Sequence, residues 1–184
     1  MPSTGQNEFV TLLDCQRHLF DIPNDVAYLN CAYISPLLNT VRDAGIAAAQ
    51  RKSHPWKIFP RDFFTDAEEA RGLFAELIGA TANDVALGSA ASYGTATAAR
   101  NLPVQSGQRI LVLQDQFPSN VYSWHALANE SDGTILTLQR PQDDNWTRSV
   151  LEALDDRVAI AALPHVHWTD GAMLDLVQIG ARCR

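Results

Sequence analysis

The chain has 184 residues, 46% hydrophobic and 19% charged, a globular composition of a size that buries a real core. Its 14 basic residues stand against 21 acidic ones, a formal net charge of -7. That balance argues against a general nucleic-acid binder, which carries a basic face, and against a polybasic membrane-surface protein. Cys15, Cys31 and Cys183 form no CxxC pair, so neither a disulfide scaffold nor a structural zinc site is expected. Residues 1–10 lack a basic region followed by an apolar one, so no signal peptide is expected. No apolar run approaches the ~18–20 residues that span a bilayer. A reducing cytoplasm is the expected compartment, with no membrane and no nucleic acid as partner.

Residues 1–8 are polar and expected to fray. Residues 39–51 read as a helix on Val41, Ala44, Ile46, Ala47 and Ala48, and the proline-bracketed residues 53–60 as a loop. Residues 65–79 are the clearest helix. Thr65 and Glu68 have capping-box spacing, and Gly79 is the stop. Ala67, Ala70, Leu73, Phe74, Leu77 and Ile78 make one apolar face. From residue 84 the pattern becomes strand, turn, helix, repeated. Residues 85–87 are a short apolar run, 88–92 a turn and 93–102 a helix. Residues 109–113 are a strand apolar on both faces, and 119–129 a helix capped by Ser119 or Asn120. Residues 134–138 are a strand, 147–154 a short helix, 158–163 an apolar strand and 172–183 a final helix. Strands apolar on both faces, separated by helices, predict an α/β fold with a mainly parallel sheet flanked by helices. Ligands bind beyond the carboxyl ends of such strands, which singles out residues 88–92, 115–120 and 164–171.

Each of these loops carries candidate chemistry. Gly88-Ser89-Ala90-Ala91-Ser92 opens a helix, whose unpaired N–H groups favour a phosphate, with the Ser92 hydroxyl as a further donor. It is neither a GxGxxG nor a Walker A loop, and it also reads as an ordinary strand-to-helix turn. Phe117 suits stacking on a planar ligand, with Asn120 as a hydrogen-bonding neighbour. The alternative has Phe117 plugging the core and Asn120 capping the helix. His165 and His167 share a strand face, but two histidines without a third ligand make a poor zinc site. One histidine as a substrate contact is the better reading. Trp168 and Asp170 lie in the same loop, and Asp170-Gly171 is a good turn. Cys31 reads as a small buried apolar group without cationic neighbours. The lack of a GxSxG elbow leaves a serine hydrolase unsupported, and the lack of GxGxxG disfavours a dinucleotide-binding domain.

Four segments together resemble, in order, the N-terminal half of a class V aminotransferase-type enzyme of the fold-type I pyridoxal-phosphate (PLP) group. They are Tyr28-Leu29-Asn30 with Ser35-Pro36; Asp84 through Ser92, Tyr93 and Gly94; Phe117-Pro118-Ser119-Asn120; and His165-Val166-His167-Trp168-Thr169-Asp170-Gly171 with Asp175-Leu176. This group includes kynureninase, isopenicillin N epimerase-like proteins, cysteine desulfurases and selenocysteine lyases. The resemblance implies part of a PLP-binding large domain over residues 28–184, preceded by a segment over residues 1–27. It implies that Ala91 and Ser92 hold the phosphate and that Phe117 stacks on the pyridine. Ser119 and Asn120 share that cofactor loop, Asn120 where kynureninase has an aspartate. His167 and Trp168 fall beside cofactor and substrate. An amino-acid substrate and a homodimer are implied for the parent enzyme. The phenylalanine loop and the His-Val segment lean towards the kynureninase and epimerase-like branch.

The family's pyridine-pairing aspartate and Schiff-base lysine have no counterpart in these 184 residues, whose lysines are Lys52 and Lys57 in the early loop. The expectation is therefore a large domain truncated before the Schiff-base lysine. PLP binding would be weak or absent, and the chain would be inactive alone. An unpaired apolar sheet edge is also expected. A second reading, from another class, is a stand-alone non-catalytic α/β binding or interaction domain.

Overall fold

The computed structural model describes residues 13–184. The fraying expected of residues 1–8 lies outside the described residues. The chain divides into two compact units, one ending at Asp66 and one spanning Ala67–Arg184.

The first unit contains α1 (Asn39–Arg51) and short 3-10 turns at Arg17–Leu19, Pro55–Lys57 and Pro60–Phe63. Polar ties to backbone hold its irregular part: the Tyr28 hydroxyl donates to the Ile34 carbonyl at 2.6 Å, and Arg17 donates to the Val26 carbonyl at 2.8 Å. Cys31, expected to be buried, is exposed. It sits in a turn closed by Ile34 N–H on the Asn30 carbonyl, where no core forms around it.

The second unit begins within α2 (Thr65–Ile78). Gly79 ends α2 as expected, at φ +68. The Ala80 N–H reaches the Ala75 carbonyl and the Gly79 N–H the Glu76 carbonyl, the paired bonds of a Schellman stop. The helix start differs from the expected capping box. Thr65 is already helical and its hydroxyl donates to the Arg61 carbonyl, while both Glu68 carboxylate oxygens hold Arg71. The apolar face also differs. Ala75 is the buried residue of α2, and Leu73, Phe74, Leu77 and Ile78 are all exposed, Leu77 by 81%. The Arg71 guanidinium, on the same side of the helix as Ala75, donates to the Val85 and Ala82 carbonyls.

The remaining elements are α3 (Ala91–Asn101), β1 (Arg109–Leu113), α4 (Tyr122–Glu130), β2 (Thr134–Leu138), α5 (Trp146–Ala153), β3 (Val158–Ala161) and α6 (Leu176–Cys183). The three strands form a parallel sheet in the order β2-β1-β3. β1 is central and buried on both faces, as its unbroken Ile-Leu-Val-Leu run predicts. Its residues alternate between two cores. Ile110 and Val112 pack with Ala99 of α3, Trp124 and Ala128 of α4, and Ala162. Leu111 and Leu113 pack with Trp146 and Val150 of α5, Leu174, and Ile179 of α6. Ile110 and Leu111 are wholly inaccessible, so truncating either to alanine costs ~2–5 kcal/mol. Stepping from β1 to β2 runs one way across the sheet, and stepping from β2 to β3 runs back over β1. Crossovers that keep one hand must then lie on opposite faces, and α4 and α5 do.

Several expected boundaries move, among them the end of β3 at Ala161 rather than residue 163. Residues 85–87 form no strand, since no strand among the described residues pairs with them. The helix expected from residue 119 begins at Tyr122, after a 3-10 turn at Pro118–Asn120. Neither Ser119 nor Asn120 caps it; the Asn120 side-chain oxygen accepts from the Trp124 indole at 3.1 Å. The final helix begins at Leu176 rather than at residue 172. Residues 172–174 instead return antiparallel along residues 165–167, with a Val166–Met173 bridge closed by Gly171 at φ +74. Asp175 caps α6 by accepting from the Gln178 N–H at 2.9 Å.

Candidate functional site

The sheet order reverses between β1 and β3, so their carboxyl ends frame the crevice where open α/β sheets bind ligands. Residues 114–121 leave β1 and residues 162–175 leave β3 at this end.

Beyond Leu113 the β1 loop turns through Asp115, a non-glycine residue at φ +53. Gln116, 7% exposed, pins the loop from inside. Its side-chain oxygen accepts from the Leu113 N–H at 3.1 Å. Its amide nitrogen donates to the Ala162 carbonyl at 3.1 Å and the Asn120 carbonyl at 3.2 Å. One buried amide thus joins the end of β1, its loop and the end of β3. Sequence reasoning missed Gln116; its signal is a polar residue between an apolar strand and a Phe-Pro turn.

The β3 loop lies on the β1 loop. The indole N–H of Trp168 donates to the Asp115 carbonyl at 2.7 Å. Its ring meets the half-buried Phe117 edge to face, centroids 5.3 Å apart and planes at 83°. His167 is 2% exposed. Its Nε2 lies 3.0 Å from the Gln114 carbonyl oxygen and its Nδ1 2.9 Å from the Thr169 hydroxyl. Its ring stacks flat on Trp146 at 5.3 Å. Asp170 is held by Arg140 at 3.2 Å and accepts from the Ala172 N–H at 2.8 Å. The Arg140 guanidinium is pushed above its ordinary pKa, first by hydrogen bonding to Asp144 and Asp144's charge, then by the charge of Asp170.

The third component is the start of α3. Ala90 is extended, and no side chain caps the helix. Ala91 and Ser92 are exposed in a first turn without an acidic residue. Thr95, one turn on, donates its hydroxyl to the Ser119 carbonyl at 2.7 Å, which ties α3 to the β1 loop. The donor set therefore fits a phosphate, and the adjoining half-buried Phe117 fits a flat ring. Of the residues expected at a site, Ala91, Ser92, Phe117, Ser119 and Trp168 gather at this sheet end. Asn120 sits in the same loop with its side-chain oxygen engaged by Trp124, and His167 lies beneath, engaged on both ring nitrogens.

Comparison with known proteins gives this arrangement a family. A family model described as aminotransferase class-V matches residues 47–184. A kynureninase from Deinococcus radiodurans is 26% identical over 175 residues, 90% of this chain and 41% of its own length. A probable cysteine desulfurase from Mycoplasma genitalium is 28% identical over 88 residues, 47% of this chain and 22% of its own. Among solved structures, a C-DES variant with glycine covalently linked to the PLP cofactor superposes with a TM-score of 0.75 at 18% identity. That match covers 93% of this chain and 46% of the other. The cysteine desulfurase CsdA from Escherichia coli superposes with a TM-score of 0.66 at 18% identity, over 90% of this chain and 44% of the other. These two likenesses establish the α/β fold of PLP transferases, and the chain spans less than half the length of these relatives. With three quarters of its residues under one family model, the chain belongs to the aminotransferase class-V family.

Proposed function

We propose that residues 28–184 are the cofactor-binding half of a PLP-dependent enzyme acting on an amino acid. The observation that carries this reading is the convergence of an uncapped helix start and an aromatic pair at the β1–β3 reversal, tied by Thr95 to Ser119. PLP, when bound, supplies the electron sink for reactions at an amino acid's carbons. In this reading the backbone N–H groups of Ala91 and Ser92 and the Ser92 hydroxyl hold its phosphate. Phe117 covers one face of its ring, Ser119 and Asn120 shape the loop that carries Phe117, and Trp168 walls the opening. The kynureninase and cysteine desulfurase relatives support an amino-acid substrate, and the Phe-Pro-Ser loop leans towards the kynureninase side. The lysines of these 184 residues, Lys52 and Lys57, both fall outside the motifs that resemble the family's cofactor site, and this reading therefore has the chain hold PLP weakly and without a covalent bond. A homodimer in the cytoplasm completes the reading, and the exposed apolar face of α2 is a surface such an association covers.

Titrating the chain with PLP and following its absorbance tests this. Weak but saturable binding is expected. Ser92→Ala should weaken it about tenfold, the loss of a hydrogen bond to a charged group. Phe117→Ala should weaken it about two- to tenfold, the worth of one ring contact. Lys52→Arg with Lys57→Arg should leave it unchanged. No saturable binding would return the chain to a non-catalytic α/β interaction domain.

A further inference from the structure

Asp115 occupies the left-handed region, as Asp132 and Asp144 also do, a conformation open to aspartate but sparsely populated by residues with a side chain. Two consecutive side chains of the β3 loop constrain it here. His167 Nε2 meets the Gln114 carbonyl and Trp168 Nε1 the Asp115 carbonyl. The Gln114 carbonyl belongs to the peptide plane before Asp115, and the Asp115 carbonyl to the plane after it. Peptide planes are rigid, so fixing both fixes φ and ψ of Asp115 together. Phe117 follows two residues later, and its ring direction inherits that turn.

Both ring nitrogens of the imidazole are engaged within the protein. A carbonyl only accepts, so Nε2 carries the hydrogen, and Nδ1 is engaged by the Thr169 hydroxyl. One ring face lies on Trp146, and Asp170 Oδ1 stands 3.8 Å from Nδ1. We infer that His167 is a positioning residue for the Phe117 loop, not a contact to cofactor or substrate: with Trp168 it locks the turn at Asp115. The consequence for PLP rests on the proposed function; the lock itself does not.

The test uses the full 184-residue chain and two readouts. The first needs no ligand: hydrogen exchange of the Trp168 indole N–H by NMR, assigned with Trp168→Phe. His167→Leu should speed that exchange at least tenfold, and His167→Gln, which retains a donor and an acceptor, should restore it to within about threefold. The second is PLP affinity, expected to fall about tenfold in His167→Leu and to recover in His167→Gln. In a Phe117→Ala background the His167→Leu loss should vanish, because the lock acts through that ring; a merely structural role would add its effect in full. Loss of PLP affinity in both His167 variants with indole exchange unchanged would make the imidazole a contact and overturn the inference. So would unchanged exchange and affinity in His167→Leu. Should His167→Leu fail to fold, His167→Gln decides: retained affinity and protection support the lock, tenfold weaker binding with protection intact overturns it. Should the wild-type chain take up no PLP, the proposed function fails while the indole exchange still tests the lock.

Discussion

Gln116 shows how much one buried side chain holds in place. Replacing it with leucine leaves the Leu113 N–H and the Ala162 carbonyl without their partner inside the sheet end. Each buried group left unpaired costs ~1–3 kcal/mol, so Gln116→Leu is expected to lower the unfolding free energy by about 2–6 kcal/mol, read by urea denaturation. Gly133 is a second demanding position. A Cβ there would meet Val104 Cγ1 at 3.0 Å and the Gln108 carbonyl oxygen at 3.2 Å. Gly133→Ala should destabilise by about 1–3 kcal/mol through overpacking. Gly133 does not stand out in the sequence, and Gln116 does so only as a polar residue between an apolar strand and a Phe-Pro turn. Gln116 is bonded to Ala162, 46 positions away, and His167 to Gln114, 53 positions away. Ser92 and Phe117, by contrast, belong to short contiguous segments, and a local pattern marks them.

The elements follow their local signals where a signal is complete. β1 is a continuous apolar run and becomes the sheet's centre, and Gly79 stops α2. Ala172, Met173 and Leu174 carry helix-compatible apolarity but pair back along residues 165–167, because the Asp170-Gly171 turn precedes them and Asp175 is the real cap. Asp175→Ala should cost ~1 kcal/mol of stability. At the start of the sheet, Asp155 bridges strands by accepting from Arg109, and that hydrogen bond, with the Arg157 N–H, holds its carboxyl below the ordinary value of 3.8. A carboxyl lowered by folding stabilises above its unfolded pKa and loses that contribution as pH falls through the folded one. Between pH 5 and pH 2 the wild-type chain should therefore lose more stability than Asp155→Asn, measured as the shift in urea midpoint.

At the scale of the molecule, the second unit is a three-stranded parallel sheet covered on both faces, with β2 and β3 as its edges among the described residues. α2 leaves Leu73, Phe74, Leu77 and Ile78 exposed, a contiguous stripe of the kind that marks an interaction surface. Sedimentation should show concentration-dependent self-association. Leu77→Lys with Ile78→Lys should shift the population towards monomer without loss of helical circular dichroism; an unchanged distribution would remove α2 from the contact.

Composition, hydrophobic period and four short motifs determined the class of this protein: an α/β chain with a parallel sheet and the class V signature. Those properties are written in neighbouring residues, so a linear reading recovers them. The tertiary structure alone decided which face of α2 is covered, that residues 85–87 find no strand partner, and that His167 faces inward against Gln114 and Trp146. Each of these depends on what lies across space from the residue. Burial and hydrogen-bond partnership are properties of pairs, and the partners here are separated by tens of residues of chain.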